Sequence, residues 1–140
     1  MSRELKFRAW IKKRKGYREL DQLVFDNQGI EEVWVFPKDD EIQQVYSPLD
    51  VVVEQYTGLT DKSGKEIYEG DIIQETIMAD DRTDGTYRYE VYWDEDTLCW
   101  SIKGISDIDY HLRDDLWETN ASREVIGNIH ENGELIGGEE

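Results

Sequence analysis

The chain has 140 residues, 38% of them apolar and 35% charged, and sixteen are Trp, Tyr or Phe. That length suits one domain or two small lobes, and so many large rings exclude a disordered chain. A net charge of −17 sets the body against phosphate backbones, and no apolar run of about 18 residues is present to cross a membrane as a helix.

The charge is uneven. Residues 1–18 hold eight of the sixteen Lys and Arg against one acid, a balance of +7, and the remaining 122 residues carry 8 basic and 32 acidic side chains, a balance of −24. The opening "MSRELKFRAW" places charges where a signal peptide needs an apolar stretch, so a cytoplasmic protein is expected. Cys99 is the sole cysteine, which rules out an intrachain disulfide.

In chain order, "RELKFRAW" alternates with period two: Leu5, Phe7 and Ala9 point one way, Lys6, Arg8 and Trp10 the other, as in a strand. "KKRKG" reads as an exposed turn in which Gly16 takes positive φ. "YRELDQLVF" is the return strand, "DNQG" turns, and "IEEVWVF" is a β-branched and aromatic strand that stops at Pro37. Residues 37–50 form an irregular acidic connection with a short strand at "EIQQVY", and "DVVVEQYTG" is the next strand.

"TGLTDKSGKEIYEGDII" holds two turns around a short strand. Asp61 can bond its own backbone, Gly64 can take the left-handed position, Gly70 gives backbone reach and Asp71 can close the second turn. "IIQETIM" leaves as a strand and "ADDRTDG" at 79–85 is a polar loop. "TYRYEVYW" and "LCWSIKG" form a hairpin about "DEDT", with Tyr87, Tyr89, Val91 and Trp93 on one face and Leu98, Trp100 and Ile102 together on its partner. Ile108, Leu112 and Leu116 fall at helical spacing, so a short helix is expected there. "REVIGNIH" is a last strand and the end of the chain a tail, frayed over 136–140.

Three blocks, "LKFRAW", "EQYTGLTDKSGKEIYEGDII" and "EVIGNIHEN", stand in this order and spacing. Together they resemble the signature blocks of the YopX family, small proteins encoded mostly by bacteriophages and prophages and largely of unknown function. The resemblance reaches from residue 3 to about 135. It implies a mostly-β fold with a small SH3-like barrel in the C-terminal half, a phage or prophage origin and a bacterial host, and no known reaction. The expected architecture is one YopX-like domain over 1–140. An N-terminal β-meander lobe covers about 1–56 and a barrel-like lobe about 57–135, with at most one or two short helices.

The chemistry-bearing residues are sparse. His111, His130 and Cys99 lie singly and do not supply the three or four ligands of a zinc site. Cys99, between Leu98 and Trp100, reads as buried filler, and His130 as a surface or turn histidine. Asp80, Asp84 and Gly85 resemble a calcium loop only faintly, because Arg82 stands where a ligand is needed; Asp94, Glu95 and Asp96 read as a solvated hairpin tip. "GKEIYEG" lacks the GK[ST] of a phosphate loop, and no serine sits in a nucleophile elbow. No catalytic, cofactor or metal site is assigned. Gly58, Asp61, Gly64, Gly70 and Asp71 are read as structural turns.

The sharpest local feature is "KKRK", Lys12, Lys13, Arg14 and Lys15, flanked by Arg8 and Arg18. It is read first as a solvated turn that pairs with acids elsewhere, in this molecule or in a neighbouring copy, and second as a candidate interaction surface. One partner is a neighbouring copy, since a basic end and an acidic body complement each other head to tail. The leading expectation is therefore a non-enzymatic, oligomerising or protein-binding accessory protein of a phage. A basic host or phage protein is the other expected protein partner. One alternative is an acidic DNA mimic that blocks a host DNA-binding enzyme through "DDRTD", "DEDT" and "DIDYHLRDD". Another is nucleic-acid binding by the basic hairpin, with Trp10 and Tyr17 as stacking platforms. Trp34, Trp93, Trp100 and Trp117 stay open between core and interface.

Overall fold

β-branched and aromatic residues dominate the apolar runs, and strands follow from them. A computed structural model describes residues 4–37, 42, 44–79, 82–96, 98–104 and 123–136, the side chains of 76–79, 82–87, 104 and 136 excepted. Among these residues ten strands form, in two antiparallel sheets. They are β1 (Phe7–Ile11), β2 (Gly16–Asp26), β3 (Gly29–Val35), β4 (Gln44–Tyr46) and β5 (Val51–Thr60), then β6 (Glu66–Tyr68), β7 (Asp71–Ala79), β8 (Arg82–Asp94), β9 (Cys99–Gly104) and β10 (Arg123–Asn128). The helical content among the described residues is a 3₁₀ turn at Gly133–Ile136. The expected mostly-β class is what the chain adopts. The chain divides into two compact units, Met1–Tyr56 and Thr57–Glu140.

In the first unit the strands run β4-β3-β2-β1-β5. β1 is central, with Ala9 opposite Arg18 on β2 and opposite Val53 on β5. Ala9, Ile11, Val33, Val35 and Val51 form the core, and Leu20, Leu23, Ile30, Tyr46 and Val53 pack on it. β4 is an edge strand held to β3 by three pairs, Val33 with Tyr46, Trp34 with Val45 and Val35 with Gln44.

The second unit holds a four-stranded sheet in the order β10-β7-β8-β9. Its core is Ile67, Ile73, Tyr89, Val91, Ile102 and Val125, with Leu59 and Trp100 against it. The alternation read in "TYRYEVYW" thus places Tyr89 and Val91 inside. β6 lies beside the last residues of β5, which cross into this unit, and delivers Ile67 to the core.

Several expectations are corrected. Lys15, not Gly16, takes the left-handed backbone, with φ 53°. The Lys15 amide donates to the Ile11 carbonyl at 2.8 Å, and Gly16 pairs with Ile11 in the ladder, which holds Gly16 extended. The polar stretch 79–85 is largely strand: the β7–β8 ladder reaches Ala79 opposite Arg82, with a register shift between Ile77 and Met78. Backbone groups carry a ladder whatever the polarity of the side chains, and an irregularity of this kind absorbs the odd residue. Leu98 is not a face partner of Trp100 and Ile102. It is a turn residue at φ 55° whose amide donates to the Asp94 carbonyl at 2.8 Å. Part of the expected tail is ordered as the 3₁₀ turn. The expected helix through Ile108, Leu112 and Leu116, with His111 and Trp117, lies outside the described residues, as do 137–140.

Candidate functional site

The two turns of the middle block are built from backbone demands. Gly58, Gly64 and Gly70 hold φ of 92°, 90° and 88°, a region open to glycine and costly for a branched side chain. Asp61 is 5% exposed and accepts four hydrogen bonds. Its Oδ1 takes the Ser63 amide, the Ser63 hydroxyl and the Lys65 amide, each at 2.9 Å. Its Oδ2 takes the Val125 amide at 2.9 Å, across 64 residues of sequence. The Lys62 amide adds a bond to the Arg123 carbonyl at 3.0 Å. This carboxylate therefore both closes its turn and clamps it to β10. Burial alone pushes the Asp61 carboxyl up, but the bonds from Val125, Lys65 and Ser63 favour the ionised form and the net direction is down.

Asp71 is equally buried, and its Oδ2 accepts the Tyr68 amide at 2.8 Å. Between the two, the Gly70 amide donates to the Val91 carbonyl and the Gly70 carbonyl accepts from the Ile129 amide, both at 2.9 Å. Asn128 ends β10 by accepting the His130 and Glu131 amides on Oδ1, at 3.0 and 2.9 Å. His130 accordingly sits in a turn. Asp61, Gly64, Gly70 and Asp71 border the two turns, whereas Gly58, expected at a turn, lies inside strand β5 at positive φ.

The basic stretch forms the β1–β2 turn, and Lys12 to Lys15 are exposed. Lys12 is anchored rather than free: its amide donates to the Asp50 carbonyl at 3.1 Å and its Nζ to the Leu49 carbonyl at 3.0 Å. Lys13 and Arg14, with all three residues of β4, line a groove of about 500 Å³. Of its lining residues Val45 is an exposed apolar side chain, and Ile42 and Leu49, near β4 in sequence, are exposed as well, Leu49 at 81%.

The flanking cations are spent inside the unit. Arg8 Nε donates to Glu54 Oε1 at 2.9 Å, the Tyr17 hydroxyl donates to the same oxygen at 2.9 Å, and Glu54 is 2% exposed. The Arg8 guanidinium lies 4.1 Å from the Tyr17 ring centre, and Trp10 meets Tyr17 edge-on at 5.0 Å. Trp10 is buried. Neither ring is laid open as a platform for a base, which removes two parts of the nucleic-acid reading.

A model of the YopX protein family matches residues 6–137. The chain is a member of the YopX family. The crystal structure of an Enterococcus faecalis protein is similar at 25% identity and a TM-score of 0.64, over 96% of this chain and 99% of that one. The crystal structure of protein yopX from Bacillus subtilis shares the fold at 20% identity and a TM-score of 0.58, over 93% and 96% of the two chains. No match to a curated protein was found.

Other features of this YopX-family chain escaped the sequence reading. Arg123 is fully buried, opposite Glu75 in the β10–β7 ladder. Its Nη2 lies 3.2 Å from Glu75 Oε2 as an ion pair, off hydrogen-bond geometry, and Nε and Nη1 have no hydrogen-bond acceptor among the described residues. No sequence signal marks Arg123, which opens "REVIGN" beside Glu124, whereas Glu54 in "VVVEQY" is a lone charge in an apolar strand that demands a buried partner. The hairpin tip also differs from a purely solvated one. Asp94 is buried and its Oδ1 accepts the Asp96 amide at 2.9 Å, while Glu95 and Asp96 are exposed. Cys99 is half-buried rather than buried, 3.8 Å from the Ser101 hydroxyl. Among the described residues no group of three or more His, Cys, Asp and Glu is placed to hold a metal.

Proposed function

We propose that this YopX-family chain is a non-enzymatic interaction module, encoded by a phage or prophage and working in the bacterial cytoplasm. It self-associates by seating its basic β1–β2 turn on the acidic surface of a neighbouring copy. One observation supports this above others: Lys13 and Arg14 stand exposed on an apolar-edged groove in a chain of net charge −17. An exposed apolar edge beside unlike charge is the composition of a docking surface.

The test is solution mass by light scattering at low and at high salt. The expected result is an oligomer that dissociates as salt shortens the screening length from about 10 Å at 0.1 M to about 3 Å at 1 M. A monomer at both salts refutes self-association and leaves a basic host or phage protein as the partner to seek. The double substitution Lys13→Glu with Arg14→Glu should lower the mass at low salt.

A further inference from the structure

The groove has a counterpart in the second unit. At the end of the β8–β9 hairpin, Trp93 and Trp100 pack edge-on at 5.0 Å, directly opposite one another in the ladder. They continue the face of Val91 and Ile102 past the core, and Trp93 is left 39% exposed. Leu98 beside them is 71% exposed at a left-handed backbone, a position where an apolar side chain gains nothing from the fold. Exposed Glu95 and Asp96 complete the tip. The tip sets exposed Trp93 and Leu98 beside acidic side chains. The groove sets Val45 and Tyr46 beside Lys13 and Arg14.

We propose that the partner in the groove is the β8–β9 tip of a second copy, with Trp93 and Leu98 entering beside Val45 and Glu95 and Asp96 facing Lys13 and Arg14. This rests on the self-association proposed above and names the surface that the basic turn meets. Large aromatic and aliphatic anchors inside a charged rim are where interface energy concentrates. The match is between two different patches, and each copy offers one groove and one tip. Rim charges of opposite sign also fix the register and reject the groove-to-groove and tip-to-tip alternatives.

The experiment uses the full chain and three charge reversals, read by sedimentation velocity with circular dichroism as a check of folding. Reversing the tip (Glu95→Lys with Asp96→Lys) should weaken self-association by at least about tenfold, as should reversing the groove (Lys13→Glu with Arg14→Glu). The chain carrying all four substitutions should assemble again. A mixture of tip-reversed and groove-reversed chains should assemble where neither variant does alone, since each groove then meets a tip of opposite charge on the other variant. Leu98→Asn, which suits the left-handed backbone and keeps the fold, should weaken assembly several-fold through lost apolar contact. If groove reversal dissociates the protein while tip reversal leaves the mass unchanged, the tip assignment is overturned and the self-association reading stands. Failure of the fourfold variant to reassemble overturns the pairing of these two rims. A wild-type monomer overturns both.

Discussion

Replacing Asp61 by Ala tests whether one carboxylate joins the middle block to β10. Four hydrogen bonds are lost together, three to amides and one to a hydroxyl. The Ser63 and Lys65 amides are on exposed residues and regain water, so their loss is small. The Val125 amide is buried and stays unpaired. With about 2 kcal/mol for that donor and a few tenths to one for each of the others, the expected loss is about 3–4 kcal/mol. That is a large fraction of the ~5–15 kcal/mol of a typical domain. Urea denaturation followed by tryptophan fluorescence measures it, and amide hydrogen exchange at Val125 and Lys65 localises it. The acid limb adds an independent check. The folded carboxyl lies below its ordinary value. Its contribution is therefore complete above the unfolded pKa of about 3.9 and fades as pH falls through the folded value. The gap in stability between wild type and Asp61→Ala should be flat above about pH 5 and should narrow below pH 4. A loss under about 1 kcal/mol, or a gap that widens in acid, would refute the clamp.

Gly70→Val should cost about 2–3 kcal/mol, because a branched side chain at φ 88° is strained and the residue bonds on both sides, and thermal denaturation reads it. In Gly127→Ala the new Cβ would stand 2.4 Å from Asn132 Oδ1, itself held by the Asn128 amide. A loss of about 1–3 kcal/mol is expected, and it should shrink in an Asn132→Ala background if that clash is the cause. Glu54→Ala strands Arg8 and the Tyr17 hydroxyl together and should cost about 3–5 kcal/mol in denaturant titration. Glu75→Ala strands the fully buried Arg123 and should cost about 3 kcal/mol, whereas Arg123→Met should cost less than half of that because Glu75 retains some solvent.

Local signals in the sequence carried most of the strands and turns. Alternation in "KFRAW" and "YEVYW", the β-branched run "VVV" and the glycine turns at 64 and 70 are properties of neighbours along the chain, and backbone sterics translate them directly. Where the prediction relied on polarity instead, at 79–85, it failed, since a ladder is held by backbone groups that every residue there supplies. The left-handed residue of the basic turn moved from Gly16 to Lys15 for a related reason: pairing with Ile11 outranked local preference.

The candidate surface was legible only in part. The sequence by itself determined the +7 and −24 division, the exposure of the "KKRK" turn and the family blocks. It could not determine which cations are tied to distant parts of the unit. Arg8 and Lys12 share a charge and a neighbourhood with Lys13 and Arg14, yet Arg8 is consumed by Glu54, 46 residues away, and Lys12 is tied to the turn at Leu49 and Asp50. Burial is a property of the register between distant strands, and what a charge pairs with depends on what that register sets against it. The tertiary structure alone decided that Asp61 meets Val125, that Trp10 and Tyr17 face each other rather than a ligand, and that Trp93 and Leu98 project where the core ends.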